Sequence, residues 1–407
     1  FGWASTAWLG GGSGSGGVTS TPTGLLEALR DYGIEYNEEL SGMYESFQGA
    51  REFNYTLHSS PEESSRLYEP SIADTTYYSE KLLADARSFS GTAIVVIGRL
   101  AGESNDLPMV QYKRVRKGAG LVRDVSRRTL ALSEEEEDLL RYVGKNYEHV
   151  VVVLNTGNVM ELGQLETIDG IDACLLAGYT GQDGASAIPQ VLWGDVDPSG
   201  RTADTWAYDL STAASYANSG KWGIGSYQDS EGLYPNDGTT IGNLSAARPY
   251  GQVSYIDYAE GPYVGYRWYE TADAEGFWAG RSNEHGRGYD AVVQYPFGYG
   301  LSYTSFSWEV VASPREGERL KGDDTVRFVV RVTNTGKVAG RDVVQLYASP
   351  PYVTGQVEKP SVELASYAKT GVLAPGESQE LTLEVSMRDL ASYDSADANG
   401  NGFAGYE

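Results

Sequence analysis

Two short, unbroken apolar runs rich in β-branched residues, TAIVVI (92–97) and VVVVL (150–154), lie on either side of an amphipathic helical stretch. That alternation restricts the fold more than any other feature. A strand pattern with no polar alternation belongs to a strand covered on both faces, and such strands pair in parallel through helical crossovers. The stretch between the runs, LSEEEEDLLRYVGKNY, carries its own helix signals. Ser133 and Glu136 have capping-box spacing, the acidic first turn suits the positive end of the helix dipole, and Leu139, Leu140 and Val143 form an apolar stripe. A third strand is expected over 171–176, followed by a glycine-rich loop and a helix from about 185 to 192, and an earlier helix begins near Leu25. The pattern predicts an open α/β sandwich: a five- to six-stranded, mostly parallel sheet with helices on both faces.

The style of the sequence then changes. Residues 207–260 are dominated by Tyr, Ser, Asn and Gly, and a loop of that length in a compact domain is expected to wrap a site. Beyond Phe306, Val326, Phe328, Val330 and Val332 alternate with polar neighbours, NTG and APGE supply turns, and LTLEVS resumes the alternation. This predicts a small antiparallel sandwich, all-β, so that residues 1–304 form an α/β domain and 305–407 a second, β domain.

Composition narrows the function. Among 407 residues the formal net charge is −25, which repels nucleic acid and anionic membrane surfaces and favours a neutral substrate. Thirty Tyr and eight Trp offer flat apolar faces with polar edges, as sugars require. No run reaches the ~20 apolar residues of a membrane span. The lone cysteine, Cys174 in IDACLLAG, is expected to be buried and inert. The three histidines, His58, His149 and His285, are scattered, so no metal is implied, and no GxSxG elbow suggests a serine triad. Gly12, Gly14 and Gly17 make a formal GxGxxG, but no helix opens directly after it, so no dinucleotide cofactor is expected. The chain opens on FGWAST and closes on GFAGYE in mid-pattern, which reads as an internal fragment and leaves its location open.

The first strand leads into GRLAGESNDLP, which sets Glu103 on a loop at a strand's carboxyl end, where open α/β sheets hold their ligands. Glu103 is thereby a candidate catalytic acid, and its bland counterpart is a solvated loop carboxylate. Glu260 in AEGPYVGYR is a second candidate acid/base, with pairing to Arg267 or to backbone as the structural alternative. Asp106 could orient the loop or meet a sugar hydroxyl. Asn155 and Asn158 in LNTGN, and Asp195 and Asp197 in WGDVDPSG, read as turn formers that bond their own backbone.

In order along the chain, GGGSGSGGV, GLLEAL, AIVVIGRLAGESNDLP, HVVVVLNTGNVMEL, AGYTGQDGASAIPQVLWGDVDPSGRT, EGPYVGYRWYET, YPFGYGLSYTSF, VTNTGKVAGRDVVQLYASPP and LAPGESQELTLEVSMRDLASYD resemble glycoside hydrolase family 3, the β-glucosidase and β-xylosidase family. The resemblance spans nearly the whole chain and implies the family's α/β-sandwich domain followed by a fibronectin type III-like domain. It implies a retaining mechanism with Glu103 as general acid/base, Gly12, Ser13 and Asp106 near the substrate, and a nucleophilic aspartate on a separate (β/α)8 barrel. No barrel and no SDW-like nucleophile motif occur in the chain, and the terminal ASYDSADANGNGFAGYE resembles the permuted subgroup, in which the barrel follows. The acid loop departs from the commoner GEGxDR or GEGxDL form at Ser104 and Asn105. The partners implied are a β-linked glycoside and the barrel. The rival reading is a non-catalytic carbohydrate-binding scaffold made of the sandwich domains alone, and a nucleotide-binding α/β protein rests only on the glycine tract.

Overall fold

The computed structural model describes residues 1–11, 22–49, 69–99, 110–114, 121–218 and 260–406. They fall into two compact units, the first holding residues 1–192 and the second residues 193–218 with those from 260 onward.

The first unit is a layered α/β structure. In chain order it contains α1 (Leu25–Tyr32), α2 (Glu38–Gly49), α3 (Glu80–Phe89), β1 (Thr92–Arg99), β2 (Gln111–Arg114), β3 (Leu121–Asp124), α4 (Glu134–Asn146), β4 (His149–Thr156), α5 (Gln164–Thr167), β5 (Ala173–Leu176) and α6 (Ala187–Leu192). The main sheet has the order β1-β4-β5 and is parallel throughout, with Thr92 opposite His149, Arg99 opposite Thr156 and Leu154 opposite Leu176. Three of the expected strands are thus present among the described residues. Strands β1 and β4 are buried along almost their whole length, as their unbroken apolar runs require.

Helix α4 forms where the sequence places it. Ser133 Oγ accepts from the Glu136 amide (3.1 Å) and Glu136 Oε2 accepts from the Ser133 amide (2.8 Å), so the capping box is closed. Its buried Leu139, Leu140 and Val143 face the sheet side of the unit, each contributing about 1.5–3 kcal/mol by leaving water. Gly144 lets the helix approach the 169–170 turn, because a Cβ there would lie 2.2 Å from the Asp169 carbonyl. Cys174, expected to be buried and inert, has surface open to solvent on β5, yet the atoms packed around its thiol desolvate it and push its pKa up to about 12, so it stays protonated and unreactive. It sits on β5, which pairs only with β4 and forms the sheet's edge among the described residues.

The second unit contains β6 (Trp206–Ala207), α7 (Tyr266–Ala274), β7 (Val293–Tyr295), β8 (Phe306–Ala312), β9 (Thr325–Asn334), β10 (Val343–Ala348), β11 (Glu363–Lys369) and β12 (Ser378–Ser386). Antiparallel sheets with the orders β12-β9-β8 and β10-β11 enclose Val330, Val332, Val344, Leu373, Leu381 and Leu383. This is the predicted all-β sandwich with its predicted inward alternation. A second apolar cluster, Ala207, Tyr269, Ala272, Trp278, Val292 and Val293, packs around α7. Polar links join that region to the sandwich strands: Arg201 Nη2 donates to Asp342 Oδ1 (2.6 Å), and Arg267 pairs with Glu363 rather than serving only its own turn. Asp197 accepts from the Ser302 hydroxyl (2.9 Å) and the Tyr303 amide (2.6 Å), so it staples a distant segment and does not merely close its own turn.

One carboxyl in the first unit is buried with hydroxyls and a backbone amide as its hydrogen-bond partners rather than an arginine. Glu69, 3% exposed, accepts from the Trp3 amide (2.8 Å) on one oxygen and from the Tyr44 and Tyr78 hydroxyls (2.9 and 2.8 Å) on the other. Burial pushes its pKa up from 4.5 to about 7, against the opposing pull of these three hydrogen bonds. Because the folded-state value is the higher one, this group's stabilisation is complete below about 4.5, is lost as pH rises toward about 7, and stays level above that. The loss is on the order of 3 kcal/mol at 1.36 kcal/mol per pKa unit. Glu69→Gln mimics the protonated acid, its oxygen taking the Trp3 amide and its NH2 facing the tyrosines. Urea titrations of the variant between pH 4.5 and 7 are expected to show a flatter stability profile than the parent, and an unchanged slope would remove Glu69 as its source.

Candidate active site

The carboxyl edge of the parallel sheet is set by Arg99 at the end of β1, Thr156 at the end of β4 and Leu176 at the end of β5. Arg99 is 0% exposed and all five of its N–H groups are used. Nε donates to Thr129 O (2.9 Å), Nη1 to Gly98 O (2.9 Å) and Glu136 Oε1 (2.8 Å), and Nη2 to Ala131 O (2.7 Å) and Glu136 Oε2 (2.7 Å). Glu136 therefore does two jobs: it caps α4 and neutralises a buried guanidinium in the bidentate geometry that makes such pairs strong.

The chain returns to the same place at Gln111. Its amide donates to Arg127 O (3.1 Å), while its Nε2 donates to Arg128 O (3.0 Å) and to Ala131 O (3.1 Å). Thr129 Oγ1 donates to Val110 O (2.9 Å). The Ala131 carbonyl thus receives a donor from each side of the 100–109 segment, and both of that segment's stems are fastened to residues 127–131. Gln111 Oε1 is buried and has no donor among the described residues.

A second fastening lies on the same edge. Asn155, fully buried, accepts from the Leu9 amide (2.6 Å) and donates through Nδ2 to Leu9 O (2.9 Å) and Gly178 O (2.8 Å). It is a cross-chain staple, reaching 146 residues along the sequence, and not a turn former bonding its own backbone. Asn158 does not bond its own backbone through its side chain: the local turn is closed by its backbone amide donating to Thr156 Oγ1 (3.0 Å), and its Nδ2 is buried with no acceptor among the described residues. Trp8 Nε1 donates to Thr180 Oγ1 (2.8 Å), the Gly181 amide to Gly10 O (2.8 Å), and the Thr23 amide to Gln182 O (2.8 Å). The segment between residues 10 and 23, which holds the glycine tract, is therefore pinned at both stems to one turn.

Tyr179 joins the two fastenings. Its hydroxyl donates to Arg99 O (3.0 Å), and its ring lies so close to Gly157 that a Cβ there would sit 2.5 Å away. The glycine in LNTGN is needed for this contact.

Glu103, Asp106, Gly12 and Ser13 lie outside the described residues. What the structure provides is the origin of their two segments: one begins at Arg99, the other passes through Gly10, and the 178–182 turn bonds to both. Glu260 belongs to the second unit, in a turn where its carbonyl accepts from the Tyr263 amide (3.1 Å). Among the described residues no group of three or more His, Cys, Asp or Glu could hold a metal ion. Arg99, Gln111 and Tyr179 went unnoticed in the sequence. The capping-box spacing was the one visible signal for this network, through Glu136.

The chain matches the profile of the glycosyl hydrolase family 3 C-terminal domain over residues 2–303 and that of the fibronectin type III-like domain over 342–399. It is 32% identical to β-glucosidase A of Butyrivibrio fibrisolvens over 94% of the chain and 41% of that protein. It is 31% identical to a β-glucosidase of Ruminococcus albus over 97% of the chain and 34% of that protein. The structure of a β-glucosidase from Paenibacillus barengoltzii superposes with a TM-score of 0.69 at 29% identity, covering 98% of this chain and 36% of that one. The chain thus spans about two-fifths or less of the length of these relatives.

Removing Glu136 leaves Arg99 charged and unpaired in the interior. Glu136→Ala is expected to cost about 3–5 kcal/mol of unfolding free energy, read as a lower urea midpoint. Combined with Arg99→Met it is expected to cost less than the sum of the two single changes. Additive losses would show that the pair does not act as a unit.

Proposed function

Since the chain belongs to glycosyl hydrolase family 3, carrying its C-terminal domain and a fibronectin type III-like domain, we propose that it is part of a retaining β-glycosidase, a β-glucosidase by the names of its relatives. The observation that carries this reading is the shared origin, at one sheet edge, of the Glu103 segment and the glycine-tract segment, each with both stems fastened. Such an edge is where an α/β sheet presents ligand groups.

In this reading Glu103 is the general acid/base. Protonated at first, it gives its proton to the glycosidic oxygen while an aspartate carboxylate attacks the anomeric carbon; the C–O bond breaks and a glycosyl-enzyme ester forms. Glu103, now ionised, takes a proton from water as that water attacks the same carbon, releasing the sugar and restoring both carboxyl groups. The two carboxyl groups must stand about 5–5.5 Å apart. The aspartate is assigned to a (β/α)8 barrel in the part of the relatives that this chain does not span. Asp106, Gly12 and Ser13 are assigned to the sugar's hydroxyl contacts. To start protonated, Glu103 needs a pKa raised by desolvation or by the nearby nucleophile.

In the full-length protein, Glu103→Gln is expected to lower turnover of glycosides with poor leaving groups by roughly 10²–10⁴ and that of activated aryl glycosides far less, because activated groups need little protonation. Glu260→Gln is expected to leave that ratio unchanged. Equal losses on both substrate types in Glu103→Gln, or a selective loss in Glu260→Gln, would move the acid role away from Glu103. Residues 1–407 alone are expected to hydrolyse neither substrate class, and robust activity of that piece, measured by release of p-nitrophenol, would overturn the division of the site between two segments.

A further inference from the structure

The second unit contains a half-open pocket of about 280 Å³ beside α7, lined by aromatic rings and rimmed by two opposite charges. Its lining includes Trp268 and Phe277, whose ring centroids are 5.6 Å apart and whose planes meet at 59°. Tyr263, Tyr352, Glu275 and Lys359 also line it. From this pocket we infer a saccharide-binding site built from residues of the second unit, one that holds a single pyranose ring by stacking.

Three features make this a built site. Two of the rings are held before any ligand arrives: Trp268 Nε1 donates to Thr212 O (2.8 Å) and Tyr263 OH donates to Glu358 Oε2 (2.5 Å), while the Ser361 amide donates to Thr271 Oγ1 (2.9 Å), tying the 358–361 segment to α7. Stacking surface that is already ordered costs little entropy on binding. Apolar surface is also left open, with Phe277 60% and Tyr352 42% exposed. Lastly, the carboxylate of Glu275 and the ammonium of Lys359 form no salt bridge among the described residues, so an acceptor and a donor remain for hydroxyl groups.

A β-glucosyl ring has equatorial hydroxyls around its rim and C–H groups on both faces. It therefore presents apolar faces to the rings and alternating donors and acceptors to Glu275 and Lys359 at once. A fatty or purely aromatic ligand would leave both charges unanswered, and an anion would meet Glu275. The volume is close to the roughly 300 Å³ at which small-molecule sites begin, which suits a single ring. The choice of a sugar over another neutral polyol rests on the proposed glycosidase reading; the pocket's geometry does not.

The test uses the full-length protein, titrated with methyl β-D-glucopyranoside and with cellobiose, and separately with phenol, by saturation-transfer NMR and intrinsic tryptophan fluorescence. Phe277→Ala and, in an exposed loop, Tyr352→Ala are each expected to weaken one saturable sugar-binding event at least about fivefold. Turnover of an aryl β-glucoside at saturating substrate is expected to be unchanged, and circular dichroism parent-like. Glu275→Gln is expected to weaken the sugar and not phenol. Sugar binding that is identical in parent and variants, or pocket binding of phenol without sugar, overturns the inference. Absence of glycoside hydrolysis by the parent would sink the glycosidase reading while leaving the binding result to stand on its own.

Discussion

A buried guanidinium is the constraint from which the carboxyl edge of the first unit's sheet follows. Taking Arg99 and Glu136 out of water costs several kcal/mol per ion, and only complete hydrogen bonding in a good geometry offsets that cost. Completeness is what the structure achieves: five N–H donors find Glu136 and three carbonyls, and the Glu136 carboxylate also holds the first turn of α4. The arrangement leaves few alternatives. The end of β1, residues 129–131 and the start of α4 must meet at one point, and the chain leaving β1 must depart from that point.

Buried polar staples of the same kind recur at the joints of both units. Asn155 bonds Leu9 and Gly178, and in the second unit Asn334 donates to Val338 O and Leu373 O while accepting from the Thr304 hydroxyl. Apolar burial is non-directional and supplies most of the stabilisation, whereas these directional groups select which segments meet. The exposed pairs on the sandwich behave differently: Arg327 with Glu384, and Arg331 with Glu309 and Glu380, lie in water, where solvent and salt screen them and they contribute little.

The elements that the sequence made legible are those governed by local rules. The unbroken runs at 92–97 and 150–154 have only one comfortable environment, and they form the paired β1 and β4. The capping box at Ser133 is decided within a single turn and is present atom for atom. The alternation of Val330 and Val332 likewise carries over into the sandwich core. What stayed hidden depends on tertiary position. Asn155 and Asp197 have the composition of turn formers, and nothing local distinguishes an Asn bonding its own backbone from one reaching a partner 146 residues away. Cys174 is divided: its apolar neighbours do desolvate the thiol, as the sequence suggested, but its place on β5, at the sheet's edge among the described residues, leaves part of it open to solvent. The candidate site divides along this line too. The end of β1, from which the Glu103 segment leaves, could be read from the strand, while Arg99, Gln111 and Tyr179, which fasten the chain there, could not, and Glu103 itself lies outside the described residues.

This division bears on how a general acid could be carried by a chain of such high negative charge. With a formal charge of −25, long-range repulsion between carboxylates is screened within about a Debye length of 10 Å at ordinary salt, so the local surroundings set the proton affinity of any one acid. Glu69 illustrates the point within this fold: burial holds its proton up to about pH 7 even though three hydrogen bonds favour the ionised form. A catalytic glutamate needs the same result, with enough desolvation to remain protonated and enough access to reach an oxygen of the substrate. Among the described residues, what bears on that demand is the fastening of Arg99 and Gln111 to the same carbonyl of Ala131, which fixes both ends of the segment that carries Glu103 in the sequence.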